Sequence, residues 1–306
     1  MRTRPPRWVR WLVLAYVAAL IGAPVGLVLY NAFASGLAIF WAALMRPEAL
    51  HAIGLTLLVT AIAVPFNTVF GVVCAFVLVR SRNPLRGILG PLVSLPLALS
   101  PVVVGLALLL AYGARGWLGP TFSGLGLRVM FDVPGIVLAT MFVGLPFVVR
   151  AVEPVLREFG VDQEEAAAIS GASALQTFWY VTLPNIRHAV GYSVVLTIAR
   201  SVGEFGAVSV VSGHLVGRTQ TLTQYVGDRY MAFDLAGAYM AATMLGVLAV
   251  LSLAGLTALR NTVSETESAP RQQRLPQGPA TTGKPVAMQL EPETESRLPS
   301  STARAA

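Results

Sequence analysis

Long apolar runs without a charged residue are the feature that most constrains how this chain can fold. The hydrocarbon core of a bilayer is about 30 Å thick, and a helix needs roughly 20 apolar residues to cross it. Hydrophobic residues make up 55% of the chain and charged residues only 12%, outside the usual balance of a soluble domain. Five uncharged runs and one run interrupted by charges are present: 11–30, 52–79, 88–112, 133–149, 235–259 and, with the interruption, 189–213. The sequence therefore predicts an all-α membrane protein with six transmembrane helices.

The basic residues orient these helices, because Lys and Arg in short loops are retained on the cytoplasmic side. With the N-terminus inside, sixteen Lys and Arg residues lie on the cytoplasmic side and five on the opposite side. We therefore expect both termini, and the polar segment 153–187, to be cytoplasmic. The net charge of +7 is spread over these loops rather than gathered in one patch, so nucleic-acid binding is not predicted.

The two ends of the chain differ in character. Residues 1–10 are Arg-rich and, with the following apolar run, imitate a signal peptide, but the run 11–30 exceeds the roughly 7–15 residues of a signal core. We therefore expect an uncleaved first helix after a cytoplasmic N-terminus. The six-helix domain is predicted over 11–260. Residues 261–306 are rich in Pro, Ser, Thr, Gln and Glu, which predicts a disordered cytoplasmic tail.

Catalytic and metal-binding chemistry is not indicated. Residues 278–284 have the spacing of a phosphate-binding loop, but Pro285 stands where that loop needs Ser or Thr, and no strand precedes it. Cys74 is the only cysteine, and the three histidines are scattered along the chain. We therefore predict that the chain is not an enzyme, that it has no catalytic residue or metal site, and that it holds no cofactor.

The polar segment 153–187 carries one long motif. It consists of Glu165-Ala166-Ala167, then Gly171 after three further residues, and then Val181-Thr182-Leu183-Pro184 after nine more. Acidic residues before the alanines favour a helix start, Gly171 permits a bend, and Pro184 predicts a further turn before the next membrane helix. A plain amphipathic helix lying on the bilayer is the alternative.

This spacing is that of the EAA loop, so the chain resembles the membrane-spanning permease subunit of binding-protein-dependent ABC importers. The only departure is Val181, where isoleucine is usual. The resemblance implies the type I importer permease fold and a loop that forms coupling helices against a separate ATPase. In that case Glu165, Ala166, Ala167, Gly171, Val181, Leu183 and Pro184 belong to the ATPase-coupling loop, and ATP and Mg²⁺ are bound by the partner.

The interrupted apolar run contains Arg200 and Glu204, one helical turn apart. A charge at bilayer depth costs about 2.5–3.5 kcal/mol on insertion scales, so such a pair is expected to face the bundle interior or a wet cavity. The i, i+4 spacing places both side chains on one face of a helix. Two interpretations stay open here: a pair that fixes helix packing, or a gate or lining element of an anion pathway to which Ser209 and Ser212 contribute.

The stretch 199–214, followed by 217–222, is similar to the sulfate/molybdate permease group of ABC importers, and within it to the CysW-type subunits. This resemblance implies transport of sulfate, and of thiosulfate, across the bacterial cytoplasmic membrane. The implied partners are a CysT-type second permease, two copies of a CysA-type ATPase, an extracytoplasmic sulfate-binding protein and membrane lipids. A molybdate or tungstate permease, and a passive anion channel, are the alternatives.

Overall fold

The computed structural model describes residues 7–81, 84 and 86–267. Within these ranges the chain is helical, without a β-strand. The helices are α1 (Arg7–Val17), α2 (Ala23–Ala34), α3 (Leu37–Leu44), α4 (Pro47–Arg80), α5 (Arg86–Ala98), α6 (Pro101–Tyr112), α7 (Gly119–Gly124), α8 (Val133–Phe159), α9 (Asp162–Ile169), α10 (Ala174–Thr177), α11 (Leu183–Val202), α12 (Gly206–Val211), α13 (Leu222–Met231) and α14 (Leu235–Glu267). Two short π-helical turns, Ala18–Gly22 and Phe178–Thr182, join α1 to α2 and α10 to α11.

Four helical segments of the described residues are long and apolar enough to cross a membrane. They are Arg7–Ala34, Pro47–Arg80, Val133–Phe159 and Leu235–Ser252. The bent pair of α5 and α6 makes a fifth if it counts as one span. The all-α membrane architecture is confirmed. The number six stays a prediction, because α11 carries Arg187, His188 and Arg200 and does not reach the same apolarity.

The third apolar run was predicted as one helix over 88–112, and this is wrong. The chain forms two helices, α5 and α6, whose axes differ in direction by 115°. The break lies at Leu99 and Ser100, directly before Pro101. Proline lacks an N–H and disfavours helical geometry in the residue before it, so α6 begins at Pro101 instead of continuing α5.

The centre of the bundle is built by α4, α8 and α11, and small residues let these helices approach closely. A Cβ atom placed on Gly71 of α4 would lie 2.5 Å from the Cβ of Val148 in α8. One on Gly144 of α8 would lie 2.3 Å from the side-chain nitrogen of the buried Asn67. Glycine at such interfaces is typical of membrane helices. The opposite face of α4 exposes large apolar side chains, as a lipid-facing surface requires.

The predicted domain limits are only partly covered by the structure. The helix α14 runs to Glu267, past the predicted end of the membrane domain at residue 260. The structure does not describe residues 1–6 and 268–306. The segment 278–284, which has the spacing of a phosphate-binding loop, and most of the predicted disordered tail therefore lie outside the described residues.

Candidate functional site: a polar loop and a broken helix

The EAA spacing corresponds to one short helix with a defined end. Gly171 has a φ of +87°, a left-handed conformation that favours glycine. Its N–H donates to the carbonyl of Ala168 at 3.0 Å, and the N–H of Ala172 donates to the carbonyl of Ala167 at 3.0 Å. These two bonds form a Schellman motif, which ends α9 by satisfying its last carbonyls. The predicted bend at Gly171 is therefore present, and it depends on backbone geometry.

The second half of the loop starts with a capping box. Ser173 accepts a hydrogen bond from the N–H of Gln176, whose side chain accepts one from the N–H of Ser173. From here the chain stays helical through α10, the π turn and α11. The predicted turn at Pro184 is therefore wrong. The wider π turn directly before Pro184 moves the preceding carbonyls off the proline ring, so the helix continues.

The loop presents apolar side chains to solvent. Ile169 is 89% exposed and Tyr180 is 80% exposed, while Phe178 turns inward and packs edge-on against Phe76 of α4. The other large apolar side chains that are exposed here are Val161, Leu175 and Trp179. Of the predicted coupling residues, Glu165, Ala166, Gly171 and Pro184 are exposed, and Ala167, Val181 and Leu183 are half-buried. An exposed apolar patch on a polar loop is typical of a protein contact.

Glu164, which sequence reasoning did not single out, fixes this loop to the bundle. Its carboxylate forms an ion pair with Arg80 at the end of α4, with 2.9 Å between Nε and Oε2. The hydroxyl of Thr182 donates to Oε1 at 2.8 Å. Both charged side chains are only 13% exposed. The local signal was the acidic pair Glu164-Glu165, but nothing near it in sequence indicates Arg80.

Arg200 and Glu204 form the predicted pair. Their charged atoms, Nη1 and Oε2, are 2.5 Å apart, and the side chains are 31% and 2% exposed. The pair therefore points into the bundle, as expected for charges at membrane depth. The continuous helix that was predicted to carry both residues is wrong, because α11 ends at Val202 and Glu204 lies in the break before α12.

Polar groups of Glu204, in the break between α11 and α12, form hydrogen bonds. Glu204 Oε1 accepts a hydrogen bond from the N–H of Ala207 at 2.9 Å. This bond satisfies one of the N–H groups in the first turn of α12, which have no partner within the helix. The Glu204 carbonyl accepts the hydroxyl of Thr223 at 3.0 Å. A Cβ on Gly206 would lie 2.7 Å from the Cβ of Pro101, so the start of α12 meets the start of α6. The two interrupted helices of the bundle therefore touch at their breaks.

Ser209 lies on α12, and Ser212 follows its last residue. The Ser209 hydroxyl donates to the carbonyl of Gly206 at 2.8 Å. Ser212 is fully buried, and its hydroxyl accepts the Gln224 side-chain amide at 2.6 Å and the N–H of His214 at 3.2 Å. Ser212 is thus occupied by packing contacts, whereas Ser209 is half-buried.

The opposite end of the bundle has a cavity of about 540 Å³, lined in part by Arg128, Arg218 and Asp132. Two other basic residues at this end, Arg46 and Arg229, form ion pairs with acidic side chains. Arg46 pairs with Asp234, and their hydrogen bond raises the pKa of Arg46. Burial alone would raise the pKa of Asp234, but hydrogen bonds from Gly237 and Arg46 and the nearby charges hold it below its usual value. Among the described residues, neither arginine of the cavity forms an ion pair. The cavity therefore holds two guanidinium groups without an ion pair, in a lining that also contains the carboxylate of Asp132.

Comparison with known proteins defines the class. Residues 67–264 match the model of the family "Binding-protein-dependent transport system inner membrane component". The fold matches a bacterial ABC transporter that imports the polysaccharide alginate, with a TM-score of 0.67 and 17% identity over 84% of this chain and 96% of that chain. The chain therefore belongs to the family of binding-protein-dependent transport system inner membrane components.

Within this family the similarity is to one kind of subunit. The chain is 46% identical to the sulfate transport system permease protein CysW of Synechococcus elongatus, over 78% of this chain and 84% of that protein. It is 37% identical to the CysT permease of the same organism, over 72% of this chain and 80% of that protein. The resemblance to CysW-type permeases that the sequence suggested is confirmed. Within the described residues, no three His, Cys, Asp or Glu side chains form a group that could hold a metal ion.

Proposed function

We propose that this chain is the CysW-type subunit of an importer that carries sulfate, and also thiosulfate, across the bacterial cytoplasmic membrane. The observation that carries the proposal is the higher identity to CysW than to CysT of one organism, 46% against 37%. A shared permease fold alone would not separate the two subunits. The higher identity to CysW therefore supports the role of the CysW subunit in a system with two permeases.

Transport is driven by ATP that a separate subunit hydrolyses. The polar loop supports this, since the apolar side chains of Ile169, Leu175 and Tyr180 are exposed at and after the glycine end of α9. Two copies of a CysA-type ATPase bind ATP and Mg²⁺, and one of them contacts this loop. The chain itself is the membrane part of the complex and not an enzyme.

The anion enters from an extracytoplasmic sulfate-binding protein. Arg128 and Arg218 of the outer cavity suit the arrival of an oxyanion, because among the described residues neither forms an ion pair. Arg200 and Ser209 then belong to the pathway or its gate. Weak contacts suffice, since a site that releases its ion quickly must not bind it tightly.

A CysT-type permease completes the membrane domain. The N-terminal helix α1 supports this arrangement, because none of its residues is buried within the chain and several of its large apolar side chains are exposed. Such a face is covered in the assembled complex by lipid or by the second permease.

Uptake of labelled sulfate by a strain that lacks this gene tests the function. We expect the gene to restore uptake, thiosulfate to compete and molybdate to compete poorly. Strong competition by molybdate would favour the molybdate permease instead. Uptake that continues after the ATPase gene is deleted would favour a passive channel.

Thiol labelling tests the orientation. In a Cys74→Ala background, Gln176→Cys should be shielded from a membrane-impermeant reagent in intact cells, and Ser123→Cys should react. Permeabilised cells provide the control, since both positions are expected to react there. Labelling of position 176 from outside would place the loop away from the ATPase and contradict the proposal.

A further inference from the structure

The helix α9 has few contacts of its own with the bundle. None of its residues is buried. It lies between two glycines in left-handed conformations, Gly160 with a φ of +69° and Gly171 with a φ of +87°. Neither glycine has an atom within 4 Å of where a Cβ would be. The position of α9 therefore depends on specific polar contacts more than on apolar packing.

One carboxylate supplies those contacts. Glu164 joins α9 to the end of α4 through Arg80, and to the start of α11 through Thr182. The Arg80 Nη2 group is 3.2 Å from Glu164 Oε1 and also donates to the Gly160 carbonyl at 2.5 Å. We call Arg80, Glu164 and Thr182 the loop clamp. Three segments that are distant in sequence meet at this one side chain.

Burial separates the loop clamp from an ordinary surface ion pair. Arg80 and Glu164 are each 13% exposed, whereas the nearby pair Arg157 and Glu153 is 58% and 28% exposed. Exposed pairs are screened by solvent and contribute little. The contacts of the loop clamp are mostly buried and depend on the relative positions of three segments. The geometry of these hydrogen bonds is lost when any one segment moves alone.

We propose that the loop clamp is the positioning contact through which movement of α9 is passed to α4 and α11. The inference rests on the proposed coupling of this loop to an ATPase. Glu164 acts as a positioning residue, since it holds the loop without contacting the anion. When the ATPase displaces α9, the Arg80 ion pair moves the end of α4, and the Thr182 hydrogen bond moves the start of α11. The last turn of the same α11 carries Arg200, shortly before the break that precedes α12.

A charge exchange in the complete complex tests this proposal. The variants are Arg80→Glu, Glu164→Arg and the double variant, each purified with its partners and reconstituted in liposomes. The measured quantity is sulfate transported per ATP hydrolysed. We expect each single change to leave ATP hydrolysis but to lower this ratio by roughly 5- to 150-fold, the range of ordinary coupling between sites. The double variant restores the ion pair but not the carboxylate acceptor of Thr182, so it should regain part of the ratio.

Two further variants control for misfolding and for a general effect of changing the charge in this region. Glu164→Gln keeps the shape and the acceptor for Thr182 but removes the charge, and it should lower the ratio without loss of assembly. Arg86→Glu makes the same charge change as Arg80→Glu on an exposed side chain at the first residue of α5, and it should keep the ratio of the parent protein.

Unchanged ratios in Glu164→Gln and both single exchanges would overturn the loop clamp as a coupling contact. An equal loss of hydrolysis and transport in all of them would also overturn it, because the contact would then only anchor the loop. A failure of the proposed function looks different: the parent complex itself would then show no sulfate-dependent ATP hydrolysis.

Discussion

Two ion pairs in this chain differ in how far apart their partners lie in sequence. Arg200 and Glu204 are one helical turn apart, and Glu204 also satisfies the start of α12. Arg80 and Glu164 are 84 positions apart and join different elements. The first pair stabilises a local break, and the second fixes one element on another. Loss of the first should therefore reduce stability, and loss of the second should reduce coupling.

The largest expected effect comes from breaking the local pair. Arg200→Met leaves the carboxylate of Glu204 buried and unpaired, which typically costs about 3–5 kcal/mol. We expect a large loss of assembled complex, measured by yield and thermal unfolding in detergent. The double variant Arg200→Met, Glu204→Gln should recover better than either single change. Equal damage in the double variant would contradict a mutually dependent pair.

The same double variant separates the two roles that the sequence left open. If the pair only fixes packing, a well-assembled double variant should transport sulfate normally. If the pair lies on the pathway or its gate, assembly should return while uptake stays lost. We expect the second result, because the buried pair lies at the break where α12 meets α6. The measurement is labelled sulfate uptake, normalised to the amount of complex.

A smaller effect is expected at Gly171, on the loop that the distant pair holds. A side chain with a Cβ in the left-handed region costs about 1–2 kcal/mol. Gly171→Val should insert into the membrane normally but lose uptake, because the Schellman end of α9 no longer forms. Gly171→Asn is the matched control, since asparagine tolerates this conformation and no atom lies within 4 Å. Normal substrate-stimulated ATP hydrolysis and uptake with valine would argue against the coupling role.

The contrast between the pairs also explains what could be predicted from sequence. The bend at Gly171 and the pairing of Arg200 with Glu204 depend on neighbours within five positions, so local spacing indicated both. Arg80 and Glu164 meet only because α4 and α9 pack, and no local pattern encodes that contact. Glu165 was therefore chosen from the motif, while the anchoring role of the adjacent Glu164 was missed.

The helices show the same division. Apolar runs predicted α4, α8 and α14, because length and composition decide membrane crossing. They did not predict the bend between α5 and α6, because the run 88–112 is uncharged throughout and its composition does not indicate the break before Pro101. The turn predicted from the proline at Pro184 was also wrong, because a π turn keeps the helix intact there. Proline position alone does not show whether the backbone breaks or widens.

The smallest expected effect concerns a third pair, Arg46 and Asp234, whose side chains are 37% and 23% exposed. Exposed pairs contribute about 0–1 kcal/mol, so burial predicts a weaker effect than at Glu204. The folded state lowers the pKa of Asp234, so the unfolded state binds its proton first as the pH falls. The stabilisation is therefore complete above the ordinary Asp value of about 3.9 and is lost as the pH falls below it. We expect Asp234→Asn to unfold slightly earlier than the parent complex near neutral pH, with the difference vanishing in acid. Arg46→Met should remove a smaller increment, since the Gly237 N–H and Arg229 still contact Asp234. A pH-independent difference in either variant would show that the charge is not its cause.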